Sequence, residues 1–187
     1  MRKVDQVSVG WFRCPVRNPR SSFMRHRHFV HLVWATRDRA PLLTRSAALF
    51  LTAYFARVAQ GERAALLEFG AVRSHVHLLV RLHPVACVSR LVQRFKGGSA
   101  FHGRTEHGLT IRWHPGYSLD SVNWRSLSDV AAYVAAQHRR HPTEAIAGWP
   151  ENPGIAERSA RARAAHFLEL LRKERYDRPT RGPRGGS

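Results

Sequence analysis

Cysteine, acidic residues and long apolar runs are scarce in this sequence, and each scarcity excludes a class of protein. The two cysteines, Cys14 and Cys87, stand alone without Cys-x-x-Cys spacing. Neither a disulfide framework nor a zinc knuckle is therefore indicated, and a reducing compartment is expected. No stretch approaches the roughly 18 apolar residues of a membrane span, and the N-terminus lacks an apolar core of secretory length. We expect a soluble, cytoplasmic protein.

The shortage of acidic residues leaves a large positive charge. Against 31 Lys and Arg there are only 13 Asp and Glu, which gives a net charge of +18 with histidine neutral. Such self-repulsion does not help folding, so a polyanion is the expected partner, and nucleic acid comes first. The hydrophobic content of 43% is enough for a real core, which excludes a wholly disordered chain.

Several catalytic signatures are also missing. The sequence has no His-Glu-x-x-His, no Gly-x-Ser-x-Gly, no phosphate-binding P-loop and no Gly-x-Gly-x-x-Gly that opens a helix. The few carboxylates are scattered, which disfavours a two-metal nuclease built on aspartate and glutamate. A nuclease that activates water would need a positioned base, and none is evident.

Hydrophobic periodicity predicts an α+β domain. Runs rich in Val and aromatic residues predict strands, and apolar residues at i, i+3, i+4 and i+7 predict helices. The predicted elements are a strand at 29–36, a helix at 45–60, strands at 65–73 and 75–82, a helix at 87–98, a weak strand at 109–113 or 117–122, and a helix at 126–141. This β-α-β-β-α-β order predicts a ferredoxin-like antiparallel sheet with helices on one face and one added helix.

Local signals set the expected ends of two helices. Gly97 and Gly98 are expected to stop the 87–98 helix. Ser126 or Ser128 is expected to cap the 126–141 helix, and Asp129 favours its first turn. The whole chain divides into five expected segments: a basic N-terminal arm at 1–25, a main folded domain at 26–141, a Pro/Gly-rich linker at 142–157, a C-terminal helix at 158–176 and a basic tail at 177–187.

Two histidines begin the strand at 75–82. His75 and His77 stand at i and i+2, so their side chains point to the same face of the strand while the alternate apolar residues supply core. Two neutral imidazoles at this spacing can share a divalent metal. A pair of surface or structural histidines is the alternative, and His26 and His28, in a basic lead-in, are interpreted in that way or as a phosphate contact.

The 126–141 helix carries a second pair of candidates. Tyr133 and Gln137 are four residues apart, so they share one helix face. A glutamine carbonyl oxygen can bind a metal, and a tyrosine hydroxyl can act as a nucleophile. An ordinary half-buried tyrosine beside a surface glutamine is the alternative.

Taken together, these patterns resemble a known family. "SHVHLLV" at 74–80 resembles the HUH motif (histidine, hydrophobic residue, histidine), and "AAYVAAQHRRH" at 131–141 resembles the tyrosine helix of the single-tyrosine HUH transposases. These are the transposases of small insertion sequences that act on single-stranded DNA, and their REP-associated relatives. The similarity covers about 26–141. The sequence departs from the family at Ser74, often Asp there, and at Asp120, where an apolar residue is usual.

The resemblance implies a mechanism and partners. It implies that His75, His77 and Gln137 hold Mg²⁺ or Mn²⁺ and that Tyr133 attacks a DNA phosphodiester to form a 5′-phosphotyrosine. It also implies single-stranded DNA, with or without a hairpin, as substrate, a homodimer, and no nucleotide cofactor. Phosphate contacts are expected from a set of basic residues after the first strand and on the second helix: Arg37, Arg39, Arg90, Arg94 and Lys96.

One further interpretation remains open. A ferredoxin-like protein derived from such a transposase could bind nucleic acid without cutting it, with His75 and His77 as remnants or phosphate contacts. The presence of both Tyr133 and Gln137 argues against this non-catalytic alternative.

Overall fold

A computed structural model describes residues 27–151 and 153–173. The expected N-terminal arm and basic tail, together with His26, lie outside these described residues. The strands are β1 (His28–Ala35), β2 (Ala64–Val72), β3 (His75–Leu82) and β4 (Ser118–Val122). The helices are α1 (Arg45–Gly61), α2 (Val88–Gln93), α3 (Ser99–His107), α4 (Leu127–Ala135), α5 (Gln137–Arg140) and α6 (Pro153–Lys173).

The strands form one antiparallel sheet in the order β2-β3-β1-β4. This order confirms the predicted ferredoxin-like architecture, with β1 and β3 at the centre. The fourth strand occupies the second of the two predicted positions. The other position, 109–113, contributes an isolated bridge between Trp113 and Thr36.

The two faces of the sheet are covered by different helices. On one face, Leu32 of β1 and Leu78 of β3 pack with Phe55 of α1 in a buried cluster. On the other face, Phe29 and Leu79 pack with residues of α4 and α6. Because strand side chains alternate between faces, neighbouring residues of β1 and β3 serve different cores. The helices of the ferredoxin-like unit therefore lie on one side, and the tyrosine-bearing helix lies on the other.

The prediction that Gly97 and Gly98 end a helix is wrong. The chain continues from α2 through a π-helical turn, Arg94–Gly98, directly into α3, which ends before Gly108 at a φ of 64°. Gly98 itself has a helical φ of −68°, so it does not supply a left-handed cap. Its lack of a side chain serves packing instead, because a Cβ there would lie 1.8 Å from the Tyr54 hydroxyl oxygen.

The helix predicted at 126–141 is interrupted. The backbone leaves helical geometry at Ala136 (φ −87°, ψ 10°), which separates α4 from α5. Asp129 lies in the first turn as predicted, but Ser126 makes no side-chain cap hydrogen bond and Ser128 lies inside the helix. Tyr133 and Gln137 therefore belong to two consecutive helical segments.

The C-terminal helix begins at Pro153, inside the segment expected to be a linker. One face of this helix is apolar, and its residues Ala160, Ala164, Phe167 and Leu171 are buried against α4 and the sheet. None of the helices in the described ranges is long and apolar enough to cross a membrane.

The close contact at Gly98 gives a stability prediction with a matched control. Gly98→Ala should lower the free energy of unfolding by about 1–3 kcal/mol, because the new methyl group overlaps the Tyr54 ring. Gly97→Ala should be neutral or should stabilise by up to about 1 kcal/mol, because nothing lies within 4 Å and alanine favours a helix. Urea unfolding of both variants measures the difference, and equal effects would contradict the packing role.

Candidate active site

β3 delivers His75 and His77 to the face of the sheet that α4 covers. Their ring centroids are 5.1 Å apart, and the residues are only 6% and 5% exposed. Val76 and Leu78 point the opposite way into the α1 core. The two imidazoles thus lie side by side in the interior, between the sheet and the tyrosine helix.

Burial keeps both imidazoles neutral. Desolvation lowers the pKa of His77 to about 3, and the neighbouring His31, His75 and His141 add to this effect. Burial also lowers the pKa of His75, with a further contribution from His141. A neutral imidazole has one unprotonated nitrogen, which is the form that binds a metal.

The Nδ1 atom of each imidazole has a hydrogen-bond partner. The Ser74 hydroxyl donates to the Glu144 carboxylate and lies 3.0 Å from Nδ1 of His75, so it is placed to accept a hydrogen bond from that nitrogen. Nδ1 of His77 lies 2.9 Å from Nε2 of His31. In both rings Nε2 is therefore the nitrogen without a partner in the described part of the chain.

α4 places Tyr133 beside this pair. The Tyr133 ring meets the His77 and His31 rings edge-on, at centroid distances of 5.8 Å and 5.7 Å. The guanidinium of Arg140 lies over the Tyr133 ring, 4.4 Å from its centroid. A phenol, buried imidazoles and a cation therefore occupy one region of the molecule.

The close packing of α4 on the sheet depends on Gly70. This residue of β2 pairs with His77 across the sheet. A Cβ on Gly70 would lie 2.0 Å from the Val134 carbonyl oxygen and 3.0 Å from Cγ of Gln137. Only glycine lets the segment carrying Tyr133 and Gln137 lie this close to the strand beside His77.

Gln137 is in the interior rather than on the surface. It is 1% exposed, and its amide nitrogen donates to the Tyr133 carbonyl oxygen at 2.8 Å. Its Oε1 atom has no hydrogen-bond partner among the described residues. It lines a cavity of about 130 Å³ that also includes Glu68 and His138.

A larger cavity of about 440 Å³ opens beside the histidines. Six of the residues that line it have side chains able to bind an anion, a metal or a nucleobase: Arg39, His75, His77, His114, Tyr117 and His141. The His141 ring stands edge-on to His75 at a centroid distance of 4.8 Å. The cavity is wide enough for part of a small ligand or a nucleotide.

Sequence comparison identifies the family to which this arrangement belongs. The family described as "Transposase IS200 like" matches residues 24–137. The chain belongs to the IS200-like transposase family. The matched segment includes His75, His77, Tyr133 and Gln137 of this transposase.

Two solved structures resemble this IS200-like transposase. A REP-associated tyrosine transposase bound to a REP hairpin is 14% identical, with a TM-score of 0.52, over 70% of this chain and 74% of that chain. A candidate transposase from Deinococcus radiodurans R1 is 22% identical, with a TM-score of 0.45, over 64% of this chain and 92% of that chain. No curated protein matches the chain significantly. The first likeness supports the shared fold.

The residues of this IS200-like transposase fit a divalent metal in their donor atoms. Two neutral imidazoles present unpartnered Nε2 atoms, and a buried amide oxygen of Gln137 lacks a partner among the described residues. In the ranges 27–151 and 153–173, no three His, Cys, Asp or Glu side chains are grouped so as to hold a metal ion. Gln137 lines a different cavity from the one that His75 and His77 line, so its amide oxygen would have to turn toward the pair, or water would have to complete the ligand shell.

The basic residues predicted to contact DNA occupy two different environments. Arg37 and Arg39 are exposed after β1, and Arg39 lines the histidine cavity. Arg90 and Arg94 both form ion pairs with Glu62. They lie on α2 and the π-helical turn, on the side of the sheet away from the histidines.

Lys96 has a structural role that sequence analysis missed. Its ammonium donates to the carbonyl oxygens of His114, Pro115 and Gly116, at 2.6, 2.7 and 3.0 Å. Two of these residues, His114 and Gly116, line the histidine cavity. Lys96 therefore anchors residues 114–116, which contribute to one wall of that cavity.

Other residues of the site were also missed from the sequence. His31 and Glu144 hold the Nδ1 sides of the histidine pair, and Arg140 covers the tyrosine. For His31 one signal was available, since period-two alternation in β1 predicts that it shares a face with Phe29 and Val33. The contacts of Glu144 span 70 residues, and no local pattern predicts them.

Proposed function

We propose that this transposase cleaves and rejoins single-stranded DNA through a covalent bond to Tyr133. The observation that carries the proposal is the packing of the Tyr133 ring against the buried, neutral His77, whose Nε2 has no partner within 27–151 and 153–173. A phenol and two neutral imidazoles are thus together at one end of the sheet. Membership of the transposase family supports the same reaction class.

In the proposed reaction the Tyr133 oxygen attacks a phosphodiester phosphorus. The new O–P bond forms as the bond from phosphorus to the 3′ oxygen breaks, which gives a 5′-phosphotyrosine and a 3′-hydroxyl. The phenol proton passes to solvent, and the leaving oxygen takes up one proton. The linkage retains its free energy, so a 3′-hydroxyl can reverse the attack without ATP.

His75, His77 and Gln137 would hold Mg²⁺ or Mn²⁺ in this proposal. A phenol has a pKa near 10 and is a weak nucleophile at neutral pH. A bound divalent ion would neutralise charge that develops on the phosphoryl oxygens. The protein's own contribution is to hold the imidazoles neutral and to place the phenol beside them.

Two arginines are placed to bind the substrate's phosphates. Arg140 lies over the Tyr133 ring, and Arg39 lines the cavity next to His75 and His77. Guanidinium groups at these positions can hold the phosphates on either side of the attacked bond. A hairpin-containing single strand is the proposed substrate, because the REP-associated neighbour was solved with a REP hairpin.

Removal of the phenolic oxygen tests whether Tyr133 is the nucleophile. Tyr133→Phe should abolish the covalent DNA adduct and leave single-strand binding nearly unchanged, because only the attacking oxygen is lost. Labelled oligonucleotides incubated with Mn²⁺ and resolved on denaturing gels measure the adduct. Tyr117→Phe is the matched control and should retain it. An undiminished adduct in Tyr133→Phe, or one mapped to Tyr54, Tyr117 or Tyr176, would refute the assignment.

The metal site can be tested by comparing histidines on adjacent strands. His75→Ala and His77→Ala should each lower cleavage by more than the roughly 10–100-fold that loss of an outer-sphere partner causes. Gln137→Ala should be milder, because water can replace a neutral oxygen. His28→Ala, at an exposed position of β1, is the control.

Metal titrations of cleavage and thermal unfolding of each variant separate chemistry from folding. If His28→Ala raises the metal concentration needed for cleavage while His75→Ala and His77→Ala do not, then His75 and His77 are not the metal ligands.

The salt dependence of binding tests the DNA-contacting residues. Each lost phosphate contact should flatten the slope of log K against log salt by about 0.7 on single strands. Arg37→Ala/Arg39→Ala should therefore flatten it by about 1.4, since neither guanidinium is ion-paired within the described ranges. Arg90→Ala/Arg94→Ala should have a smaller effect, because Glu62 partly neutralises that pair. Unchanged slopes in both double variants would show that other segments of the chain bind the DNA phosphates.

A further inference from the structure

His31 occupies the centre of a polar row across the sheet. It lies in β1 directly opposite Asp120 of β4 in the strand register, and it is diagonal to His77 on β3. Its Nε2 atom is 2.9 Å from Nδ1 of His77. The two ring planes are inclined by only 21°, with centroids 5.1 Å apart, which suits a hydrogen bond in the plane of the rings.

The neighbours of His31 indicate the direction of this hydrogen bond. Nδ1 of His31 lies 4.0 Å from the Asp120 carboxylate, which favours a proton on that nitrogen. Nε2 of His31 then carries the lone pair and accepts from Nδ1–H of His77. The Asp120 side chain is 74% exposed, so solvent weakens its pull and the bond between the imidazoles is the stronger restraint.

We propose that His31 is a positioning residue that accepts a hydrogen bond from Nδ1–H of His77 and so fixes the tautomer in which Nε2 of His77 is free to bind a metal. The inference deepens the proposed function and rests on it for the role of the metal. It also gives a use to Asp120, which pairs with His31 in the strand register. Asp120 is the outer and weaker member of the row.

The physical reason lies in imidazole chemistry. A neutral histidine in water exchanges between two tautomers, and only one presents Nε2 as a ligand. A partner on Nδ1 selects that tautomer and fixes the ring's orientation. Ser74 provides the equivalent acceptor for His75, so each histidine of the pair has its own partner. Ser74 directly precedes β3, whereas His31 lies in β1.

The tautomer can be measured without metal or DNA. Long-range ¹H–¹⁵N correlation spectra of the metal-free, ¹⁵N-histidine-labelled protein distinguish Nδ1–H from Nε2–H. The chain has 12 histidines, so His77→Gln identifies the resonances of His77 by their loss. We expect His77 as Nδ1–H and His31 with an unprotonated Nε2. A predominant Nε2–H form of His77 would overturn the inference whatever the protein's activity.

Metal affinity gives a second readout with matched variants. His31→Phe keeps an aromatic ring but removes the acceptor, and it should weaken Mn²⁺ binding, measured by electron paramagnetic resonance, by about 10–100-fold. His31→Gln restores an acceptor oxygen and should recover most of the affinity. Asp120→Asn should have a smaller effect than His31→Phe, and His28→Ala should have none.

The outcomes separate this inference from the proposed function. Wild-type affinity in His31→Phe, with thermal unfolding unchanged, would overturn the positioning role while the proposed function stood. Equal losses in His31→Phe and His31→Gln would likewise overturn it, because the role would then be packing. If the wild type binds no Mn²⁺, the proposed function fails, and the tautomer measurement alone decides whether His31 holds His77.

Discussion

The approach of α4 to the strand beside β3 is the contact on which the site depends. The Val134 carbonyl oxygen lies where a side chain on Gly70 would be, and Gly70 pairs with His77. A larger residue would lift the helix and move the Tyr133 ring away from the imidazoles. α6 packs against both α4 and the same face of the sheet, so the C-terminal helix holds α4 in place from the side.

The sheet combines two environments that rarely occur together. One face is a continuous apolar core around Phe55 and Phe95, and it supplies the hydrophobic stabilisation of the fold. The other face carries a row of imidazoles. The Nδ1 atoms of His75 and His77 have hydrogen-bond partners there, whereas Oε1 of Gln137 has none among the described residues. Burial lowers the pKa of His75 and His77 and so holds both imidazoles neutral. The neutral form is the one that the interior tolerates, and it is also the form that can bind a metal.

Most of the fold could be predicted because its signals are local. The β2–β3 hairpin, the helix at 45–60 and the apolar face of α6 follow from periodicity within single elements. The errors arose where packing overrode a local signal. Gly98 looked like a helix stop, but its missing side chain accommodates Tyr54. The helix predicted to run unbroken from 126 to 141 bends at Ala136, and no residue type there predicts the break.

Three features could be read from the residues without any structure: His75 and His77 share a face, Tyr133 and Gln137 are neighbours, and the chain is strongly basic. Alternation in a strand and spacing in a helix are consequences of backbone geometry, so no tertiary information is needed. Only the tertiary structure decided which partners hold these groups. His31 meets His77 across 46 residues, and Lys96, predicted to contact DNA, also donates hydrogen bonds to carbonyl oxygens in a wall of the histidine cavity. Such contacts depend on strand register and helix packing, which bring together residues that no local pattern connects.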